Sequence, residues 1–537
     1  MRDLLSKLMI IVLILSLATG CQHQSSQSKD HDLLHVKSAD REHSKKVIFL
    51  LVDSLMAEAI DQGIRQGELP SFKYLIDHGQ YYRDMVTSFP TMSVSIDSSL
   101  LTGTYPDEHQ VPGLVWYSAQ EKKLINYGSG PAEIWNHGIN RTLADAIVHL
   151  NGKHLSSEQS TIYEDLARKH LTSGSINGLI YRGLSDHTLQ LPAWVYGPSS
   201  LPQLIQVKGP DLLSLGSIAN PFENSSKDTP AHNLPDGLPD RMGLTNKYSV
   251  EAVKYLVKQN KLPDFLFAYL PDLDQKIHKS GPPGLKGVKE VDKQLDGILQ
   301  AFGSREAAMN ESIIIIAGDS GMTRLLPKDQ NSVIDLPDLF TDYQVLRAGK
   351  EVTDETDIIL AVNETMAYVY PNHKVKPYEE WARLMTIDPR IDFVSWREGE
   401  WIHVLQGGTN KAFMYRAGGS LVDPYQQKWT IKEAADVLDL SIDERRGSLK
   451  YGDYPDGLQR LSSALHSHPG DFLVVTAKPG YELADRSSPT HEGGGGHGSI
   501  RMDESLIPLI ICGTDQRPPE QLRIIDLKEF LLQLLTD

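Results

Sequence analysis

Cysteine is almost absent from this chain, which has 2 cysteines among 537 residues. Cys512 lies in the apolar run 506–512, which predicts a buried strand, and Cys21 lies near the N-terminus. This scarcity excludes an intrachain disulfide and a Cys-rich metal centre. Any metal ion in this protein must therefore be held by histidine and carboxylate side chains.

Basic charge is also scarce, because 53 Lys and Arg stand against 70 Asp and Glu and give a formal net charge of −17. Nucleic-acid duplexes attract proteins with a basic face, so we expect no duplex binding. A small anionic substrate is compatible with an acidic chain, since bound cations reverse the local field. The length suits one large α/β domain with insertions, or two domains.

Apolar runs long enough to cross a bilayer comfortably are lacking as well. The run at residues 8–18 is short and is typical of a signal peptide. It leads into Ala18-Thr19-Gly20-Cys21, which resembles the lipobox of bacterial lipoproteins, with Ala18 where Leu is usual. We predict a signal peptide over 1–20, lipid attachment at Cys21 and a flexible polar tether over 21–44. The protein would then be exported and lipid-anchored to the outer face of the bacterial cell membrane; the alternative is an ordinary signal peptide cut elsewhere.

Three apolar runs lead to an aspartate. Residues 47–52 precede Asp53, residues 265–270 come shortly before Asp274, and residues 313–317 come shortly before Asp319. Such runs suit strands buried on both faces of a parallel sheet, and helical patterns lie between them. The sequence therefore predicts an α/β fold, a mostly parallel sheet with helices on both faces. Because ligands of such sheets bind beyond the carboxyl ends of the strands, the three aspartates are expected at one rim.

The core of this fold is predicted to comprise residues 45–324 and 471–537. Residues 325–470 carry mixed strand and helix signals and are expected to form an inserted smaller lobe, or cap. The stretch 190–245 is rich in Pro, Gly, Asn and Ser and predicts long loops near the site entrance.

A carboxylate and a histidine are spaced for metal binding at Asp274 and His278. Residues four apart share one side of a helical turn, and both types bind Zn, Mn or Fe. Taken alone, such a pair is more often a surface hydrogen bond. The Gly-rich loop 491–499 adds His491 and His497, and its alternative interpretation is a flexible surface loop.

The segment 89–109 begins at a proline turn and continues as a helical pattern rich in Ser and Thr. A hydroxyl at the start of a helix lies among free backbone N–H groups, which favour a bound phosphate. The plainer interpretation is a helix-capping residue.

These segments together resemble the alkaline phosphatase superfamily, in its branch of type I phosphodiesterases and nucleotide pyrophosphatases. The shared order is an aspartate after a strand, a helix followed by Thr-Gly-x-Tyr-Pro-x-x-His, then Asp-x-x-x-His-x-x-Gly-Pro, Asp-x-Gly-Met and His-Gly. The resemblance covers residues 46–515. It implies an alkaline-phosphatase-like fold and hydrolysis of a small-molecule phosphate ester, with phosphodiesters and nucleotide pyrophosphates as the first expectation.

The resemblance also implies a two-metal site. Asp274, His278 and His497 match the ligands of one divalent ion, and Asp53 and Asp319 match ligands of the other. Zinc is expected, with Mn or Mg as alternatives at the second position.

The nucleophile position of the family falls on Ser93, with Thr91 and Ser95 as fallback candidates. A covalent phosphoseryl intermediate is therefore expected. Trp116 and Tyr117 follow the helix and are expected to contact the substrate, although a core strand is an equal alternative.

Two departures from the family pattern weaken the second metal site and the phosphate contact. Ser320 stands where the family has a metal-binding His, so the second ion is expected to bind more weakly or to borrow His491. Ile96, followed by Asp97, stands where the family has an Asn that holds a phosphate oxygen. The alternatives are a phosphomonoesterase, a phosphonate hydrolase, or a binding lipoprotein whose site has degenerated. A sulfatase is disfavoured, since no Cys/Ser-x-Pro-x-Arg segment occurs.

Overall fold

The computed structural model describes residues 45–129, 139–191, 201–222, 234–372 and 376–536. The predicted signal peptide, tether and lipidated Cys21 lie outside the described residues. In this part of the chain, no helix combines the length and apolar character needed to cross a membrane.

A seven-stranded sheet forms the centre of the fold. Its strands are β1 (Lys46–Val52), β2 (Gly79–Val86), β3 (Ser173–Ile176), β4 (Leu212–Ser214), β5 (Phe265–Leu270), β6 (Ser312–Gly318) and β7 (Leu506–Cys512), in the spatial order β2-β7-β6-β1-β5-β3-β4. The neighbours from β6 to β4 run parallel, whereas β7 runs antiparallel to both β6 and β2. The predicted α/β class with a mostly parallel sheet is confirmed.

The apolar runs form the middle strands because their side chains are buried on both faces of the sheet. Every residue of β5 and β6 is buried, and β1 is buried from Val47 onward. The register pairs Val52 of β1 with Gly318 of β6 and with Leu270 of β5. The three strands therefore end at the same level, and the residues that follow them start from one rim.

Seven of the described helices form two mutually packed groups. One group joins Asn246–Lys258, Leu285–Ala301, Ala57–Arg65 and Pro70–Asp77, and the other joins Ser93–Thr102, Ile162–Arg168 and Leu527–Thr536. The further helices are Pro106–His109, Ile139–Leu143, Asp272–Ser280, Arg305–Glu311, Tyr378–Thr386, Gly457–His466 and Met502–Ser505, the π-helix Ala144–His154, and the 3-10 helices Leu238–Gly243, Lys328–Gln330, Leu336–Phe340, Ala435–Leu438 and Ile524–Asp526.

A second sheet of nine strands is almost wholly antiparallel. Its strands are Ile358–Asn363, Met366–Pro371, Ile391–Glu398, Trp401–Gln406, Ala412–Val422, Lys428–Glu433, Leu440–Asp443, Ser448–Tyr451 and Leu473–Ala477. All of them except the last lie within the predicted insert 325–470, and the division into domains stays a prediction. The largest buried apolar cluster contains Phe49 of the central sheet and Tyr368 of the second, so both sheets contribute to one core.

Short two-stranded ribbons complete the fold. They pair Val115–Ser118 with Lys123–Asn126, Ser185–Gln190 with Leu204–Gly209, Thr323–Arg324 with Gly495–Gly496, and Val333–Asp335 with Glu482–Ala484. The ribbon that contains Gly495–Gly496 helps to position a predicted metal ligand, because His497 follows it directly.

Candidate active site

The rim at the carboxyl ends of β1, β5 and β6 brings together the three predicted aspartates. Asp53 follows β1, Asp319 follows β6, and Asp274 lies in the first turn of helix Asp272–Ser280 after β5. The backbone N–H of Asp53 donates to Leu270 O over 3.1 Å, which continues the parallel pairing past the last strand residue. Parallel pairing thus assembles carboxylates that are far apart in the sequence.

Ser93 is the first residue of helix Ser93–Thr102, and its hydroxyl donates to Asp53 Oδ1 over 3.4 Å. Burial raises the pKa of Asp319, and a hydrogen bond from the same hydroxyl partly offsets that rise. The helix ends at Thr102 and is capped by Gly103, whose φ of 71° is easily adopted by glycine. Ser93 is therefore presented at a helix N-terminus between two buried carboxylates.

The two fallback hydroxyls have structural partners instead. Thr91 donates to Ser499 O over 3.1 Å and accepts from the Gly498 N–H over 2.7 Å. Ser95 donates to Val111 O over 2.9 Å. Of the three hydroxyls, Ser93 is the one that contacts the predicted metal ligands.

Ser54 links the carboxylates of the two predicted metal positions. Its hydroxyl donates to Asp274 Oδ1 over 2.9 Å, and its backbone N–H donates to Asp319 Oδ1 over 2.8 Å. Its φ of 56° lies in the left-handed region, where a serine is strained. That backbone turn directs the N–H and the hydroxyl of one residue toward two different acids.

The first predicted ligand set is assembled as a compact group. The Nε2 atoms of His278 and His497 lie 3.2 and 3.6 Å from Asp274 Oδ1. The Nδ1 atoms of the two rings donate to backbone carbonyls, His278 to Gly495 O over 2.8 Å and His497 to Thr91 O over 2.5 Å. Since the carbonyls occupy both Nδ1 atoms, the free Nε2 atoms face the carboxylate, as metal-binding histidines require.

The second predicted ligand pair, Asp53 and Asp319, is buried. Burial raises the pKa of both carboxyls, and the charges of Asp319 and Asp274 raise that of Asp53 further. Tyr269 donates its phenolic hydrogen to Asp53 Oδ2. Asp319 Oδ2 is buried without a hydrogen-bond partner of normal geometry. A divalent cation suits this donor set, because it would satisfy that oxygen and offset the crowded negative charge.

A third protein ligand for Asp53 and Asp319 is not found among the described residues, where no His, Cys, Asp or Glu completes a three-ligand group with them. Ser320, in the position where the family has His, is fully buried, with its hydroxyl 3.4 Å from that of Ser54. His491 contacts the other group: its ring stacks on His278 at 4.2 Å, and its Nδ1 lies 3.3 Å from Glu482 Oε2.

Glu364 is the site residue that the sequence interpretation missed. Its Oε1 lies 3.6 Å from His278 Nε2 and 3.9 Å from His497 Nε2, on the first ligand group. Burial favours the neutral form of Glu364, but the positive charges of His278 and His497 outweigh burial and lower its pKa. The signal in the sequence was a glutamate in a short turn between the apolar strands Ile358–Asn363 and Met366–Pro371.

The charges of this group also shift its histidines. Burial lowers the pKa of His278 and of His497, but Glu364 and Asp274 outweigh burial and raise each pKa to about 10. The pKa of Asp274 is correspondingly held far below its usual value by the two histidines, against the effect of burial. Without a cation, the two acids and two histidines thus form one paired ionic group.

The aromatic residues predicted to contact substrate lie in packed surroundings. Trp116 is buried, with its ring 5.6 Å from His154 and 5.5 Å from His468. Tyr117 is half-buried, with its ring 5.5 Å from Tyr370. Their role in substrate binding stays a prediction.

The two residues at the family's phosphate-binding position are buried as well. Ile96 belongs to the core cluster that also contains Phe49. Burial and the charge of Asp319 raise the pKa of Asp97 well above its usual value.

The π-helix Ala144–His154 carries another group of potential ligands, which are Asp145, His149 and His154. The Lys123 ammonium lies 3.7 Å from Asp145 Oδ1 and already supplies positive charge there. This group is an ion-pair cluster of the surrounding structure.

Comparison with known proteins identifies the class that this fold and site define. Residues 47–500 match the family model of type I phosphodiesterase / nucleotide pyrophosphatase. The chain belongs to this family and is a hydrolase of the phosphodiesterase/nucleotide pyrophosphatase type. The predicted family membership is confirmed, and the bacterial lipoprotein assignment stays a prediction.

Solved structures of the same fold include ectonucleotide pyrophosphatase/phosphodiesterase 5 from mouse and from human. The murine protein, in an inactive form in complex with AMP, aligns with a TM-score of 0.51 and 14% identity over 92% of this chain and 95% of its own. The human protein aligns with the same TM-score and identity over 91% of this chain and 95% of its own. Among curated proteins, a sequence search finds no match.

Proposed function

We propose that this protein hydrolyses phosphodiesters or nucleotide pyrophosphates in a metal-dependent, two-step reaction with Ser93 as the nucleophile. The observation that carries the proposal is the position of the Ser93 hydroxyl, at a helix N-terminus, 3.4 Å from Asp53 Oδ1 and beside Asp319. A serine without a histidine base needs another means of activation, and buried carboxylates that can hold cations supply it.

The side chains present fit two divalent ions. Asp274, His278 and His497 would hold one ion, and Asp53 and Asp319 would hold the other. When bound, such ions lower the pKa of a nearby hydroxyl and offset the negative charge of a phosphate ester in the transition state. The N- and O-donor set of the first position suits zinc, whereas the oxygen donors of the second also suit Mn or Mg.

The residues of the chain orient the reactants. The hydrogen bond from Ser93 to Asp53 turns the hydroxyl proton toward the carboxylate, so a lone pair of Oγ is free to attack phosphorus. The Oγ–P bond forms as the bond from phosphorus to the leaving oxygen breaks; the Ser93 proton passes to Asp53, and the leaving oxygen departs with the bonding electron pair. Water then cleaves the phosphoryl group from Ser93 and restores the hydroxyl.

Backbone groups at the helix start support the phosphoryl oxygens. The N–H of Ser95 donates to Met92 O over 2.9 Å, so the N–H groups of Ser93 and Val94 precede the first hydrogen bond of the helix. Such free N–H groups at a helix N-terminus bind phosphate. They would compensate for the missing Asn at position 96, where this chain has Ile.

The substrate that we infer is a small phosphodiester or nucleotide pyrophosphate. The murine neighbour described with AMP shows that a relative of this fold binds a nucleotide phosphate ester. A phosphomonoesterase or phosphonate hydrolase is the alternative within the same chemistry.

Turnover of a bis-aryl and a mono-aryl phosphate ester tests the function. We expect faster cleavage of the bis-aryl ester, loss of activity on chelation, and recovery when Zn, Mn or Mg is restored. Faster cleavage of the mono-aryl ester would show that the protein is a phosphomonoesterase and not a phosphodiesterase. Absence of turnover with every metal would favour a binding protein instead.

We further propose that the protein is exported and anchored through a lipid at Cys21. The proposal rests on the short apolar run and the Gly20-Cys21 pair. Cells labelled with a radioactive fatty acid should yield a labelled, membrane-associated protein, and Cys21→Ser should abolish both properties. A wild-type protein that is unlabelled would contradict the anchor.

A further inference from the structure

We propose that Glu364 is a fourth protein ligand for the ion held by Asp274, His278 and His497. The inference rests on the proposed metal dependence and adds to it the coordination state of the first ion. It is carried by the position of the carboxylate, the backbone of its turn and the contacts that hold the turn in place.

The Glu364 carboxylate lies within reach of both imidazoles of the first ligand group, and it also forms a candidate ligand group with His278 and His491. Ligand atoms around a tetrahedral ion with bonds of about 2 Å lie about 3.3 Å apart. Glu364 Oε1 lies 3.6 and 3.9 Å from the Nε2 atoms of His278 and His497, and Asp274 Oδ1 lies 3.2 and 3.6 Å from the same atoms. Both carboxylates therefore approach the Nε2 pair at comparable distances, and each ring has one nitrogen left for a cation, because backbone carbonyls occupy both Nδ1 atoms.

The backbone of Glu364 is strained. Asn363 and Met366 are paired across the hairpin, so Glu364 and Thr365 form a two-residue turn, and Glu364 has φ of 58°. Glycine or asparagine is preferred at such a position, and another residue is strained there. A strained turn position is occupied here by a glutamate whose side chain contacts two histidines. We infer that this side chain has a function.

Several hydrogen bonds hold the turn against the Gly-rich loop. The N–H of His497 donates to Glu364 Oε2 over 3.1 Å, and the N–H of Thr365 donates to His497 O over 3.2 Å. On the other side, the N–H of Leu483 donates to Glu364 O over 2.7 Å. Glu364 Oε2 thus has a fixed donor, which leaves Oε1 directed at the imidazoles.

A four-ligand set changes the role of the first ion. Zinc sites with four protein ligands are closed, whereas catalytic sites keep a position for water or substrate. The first ion would then be firmly held by four protein ligands in the resting protein, and the phosphate ester would reach it as a fifth ligand in the transition state. The open position would lie at the second ion, beside Ser93 and Asp319.

The test isolates the first ion in the full chain by removing the second site with Asp319→Asn, in which the amide oxygen still accepts from Ser54. Zinc affinity is measured by competition with a chromogenic chelator, and coordination by the visible absorption of the protein loaded with Co²⁺. In this background Glu364→Gln keeps the acceptor for the His497 N–H but loses the carboxylate. The matched control is Glu398→Gln, an exposed glutamate of the same sheet, and thermal unfolding of the metal-free proteins verifies folding.

We expect Glu364→Gln to weaken zinc binding at least about 10-fold and to alter the Co²⁺ absorption bands, with Glu364→Asp intermediate and the control unchanged. Unchanged affinity would overturn the ligand assignment. Weaker binding with unchanged Co²⁺ bands would also overturn it, because the carboxylate would then act by charge alone. Both of these results would be compatible with metal-dependent turnover by the wild-type protein, so they would overturn the Glu364 assignment alone. A wild-type protein that binds no metal would overturn the Glu364 assignment and the proposed metal-dependent function together.

Discussion

Ser93 and Asp53 are 40 residues apart in the sequence, yet the Ser93 hydroxyl donates to Asp53 Oδ1 over 3.4 Å. The contact joins the N-terminus of a helix to the carboxyl end of the central strand β1. It gives Ser93 a fixed orientation beside two acids, and the proposed chemistry depends on it.

Removal of the Ser93 hydroxyl should abolish turnover without unfolding the protein. We expect Ser93→Ala to lower kcat for a bis-aryl phosphate at least about 100-fold, because the covalent route is lost. Ser98→Ala is the control, since that hydroxyl donates to Val94 O within the same helix. Steady-state kinetics at saturating metal would show the difference; activity of Ser93→Ala within a few-fold of wild type would exclude Ser93 as the nucleophile.

A histidine at position 320 should strengthen the second metal site. Ser320 follows Asp319 directly and lies where the family has a metal ligand. We expect Ser320→His to raise the affinity for the more weakly bound ion at least about 10-fold, as an added imidazole ligand does. Metal titration followed by calorimetry would measure the effect, with Ser320→Ala as the control. Equal weak-site affinities in Ser320→His and Ser320→Ala would show that position 320 does not reach the ion.

Metal binding should release protons from His278 and His497. Their pKa values of about 10 in the metal-free protein keep both rings charged at pH 7.5, whereas a coordinated imidazole must be neutral. Binding therefore displaces about two protons, and the apparent affinity should rise with pH up to about 10.

Calorimetry of zinc binding in two buffers with different ionisation enthalpies counts these protons. His466→Gln, which changes an exposed histidine, should leave the count unchanged. A count of zero at pH 7.5 would contradict the ionic pairing of the metal-free group.

Arg460 should be a major contributor to stability. Its fully buried guanidinium donates to Ser88 O over 3.0 Å, to Ile500 O over 3.2 Å and to Ser505 Oγ over 2.8 Å. We expect Arg460→Met to lower the free energy of unfolding by about 3 kcal/mol, because buried carbonyls lose their donors.

Urea unfolding of metal-free protein would measure this loss, with the exposed Arg446→Met as the control at about 0.5 kcal/mol or less. A loss below about 1 kcal/mol for Arg460→Met would mean that water replaces the guanidinium at little cost.

The positions of Asp53 and Asp319 could be predicted because they depend on local patterns. Buried parallel strands read as continuous apolar runs, and their ends share one rim. The i to i+4 spacing of Asp274 and His278 likewise fixes a shared helix side whatever the tertiary fold.

The part played by Glu364 could not be predicted from the sequence, because it depends on how the second sheet packs against the Gly-rich loop. No local pattern links residue 364 to His278 or His497, and a glutamate in a turn ordinarily reads as exposed. The same holds for Ser54, whose bridging role follows from a left-handed backbone turn that serine seldom adopts.

The most direct test of the proposed mechanism is mass spectrometry of protein quenched with acid during turnover of a phosphodiester. We predict a peptide containing Ser93 whose mass is increased by the phosphoryl group and its retained ester, present with metal and absent from Ser93→Ala. The covalent mechanism would be contradicted if the protein turned over rapidly but yielded no modified Ser93 peptide. The peptide would have to be missing both at quench times shorter than one catalytic cycle and after many cycles.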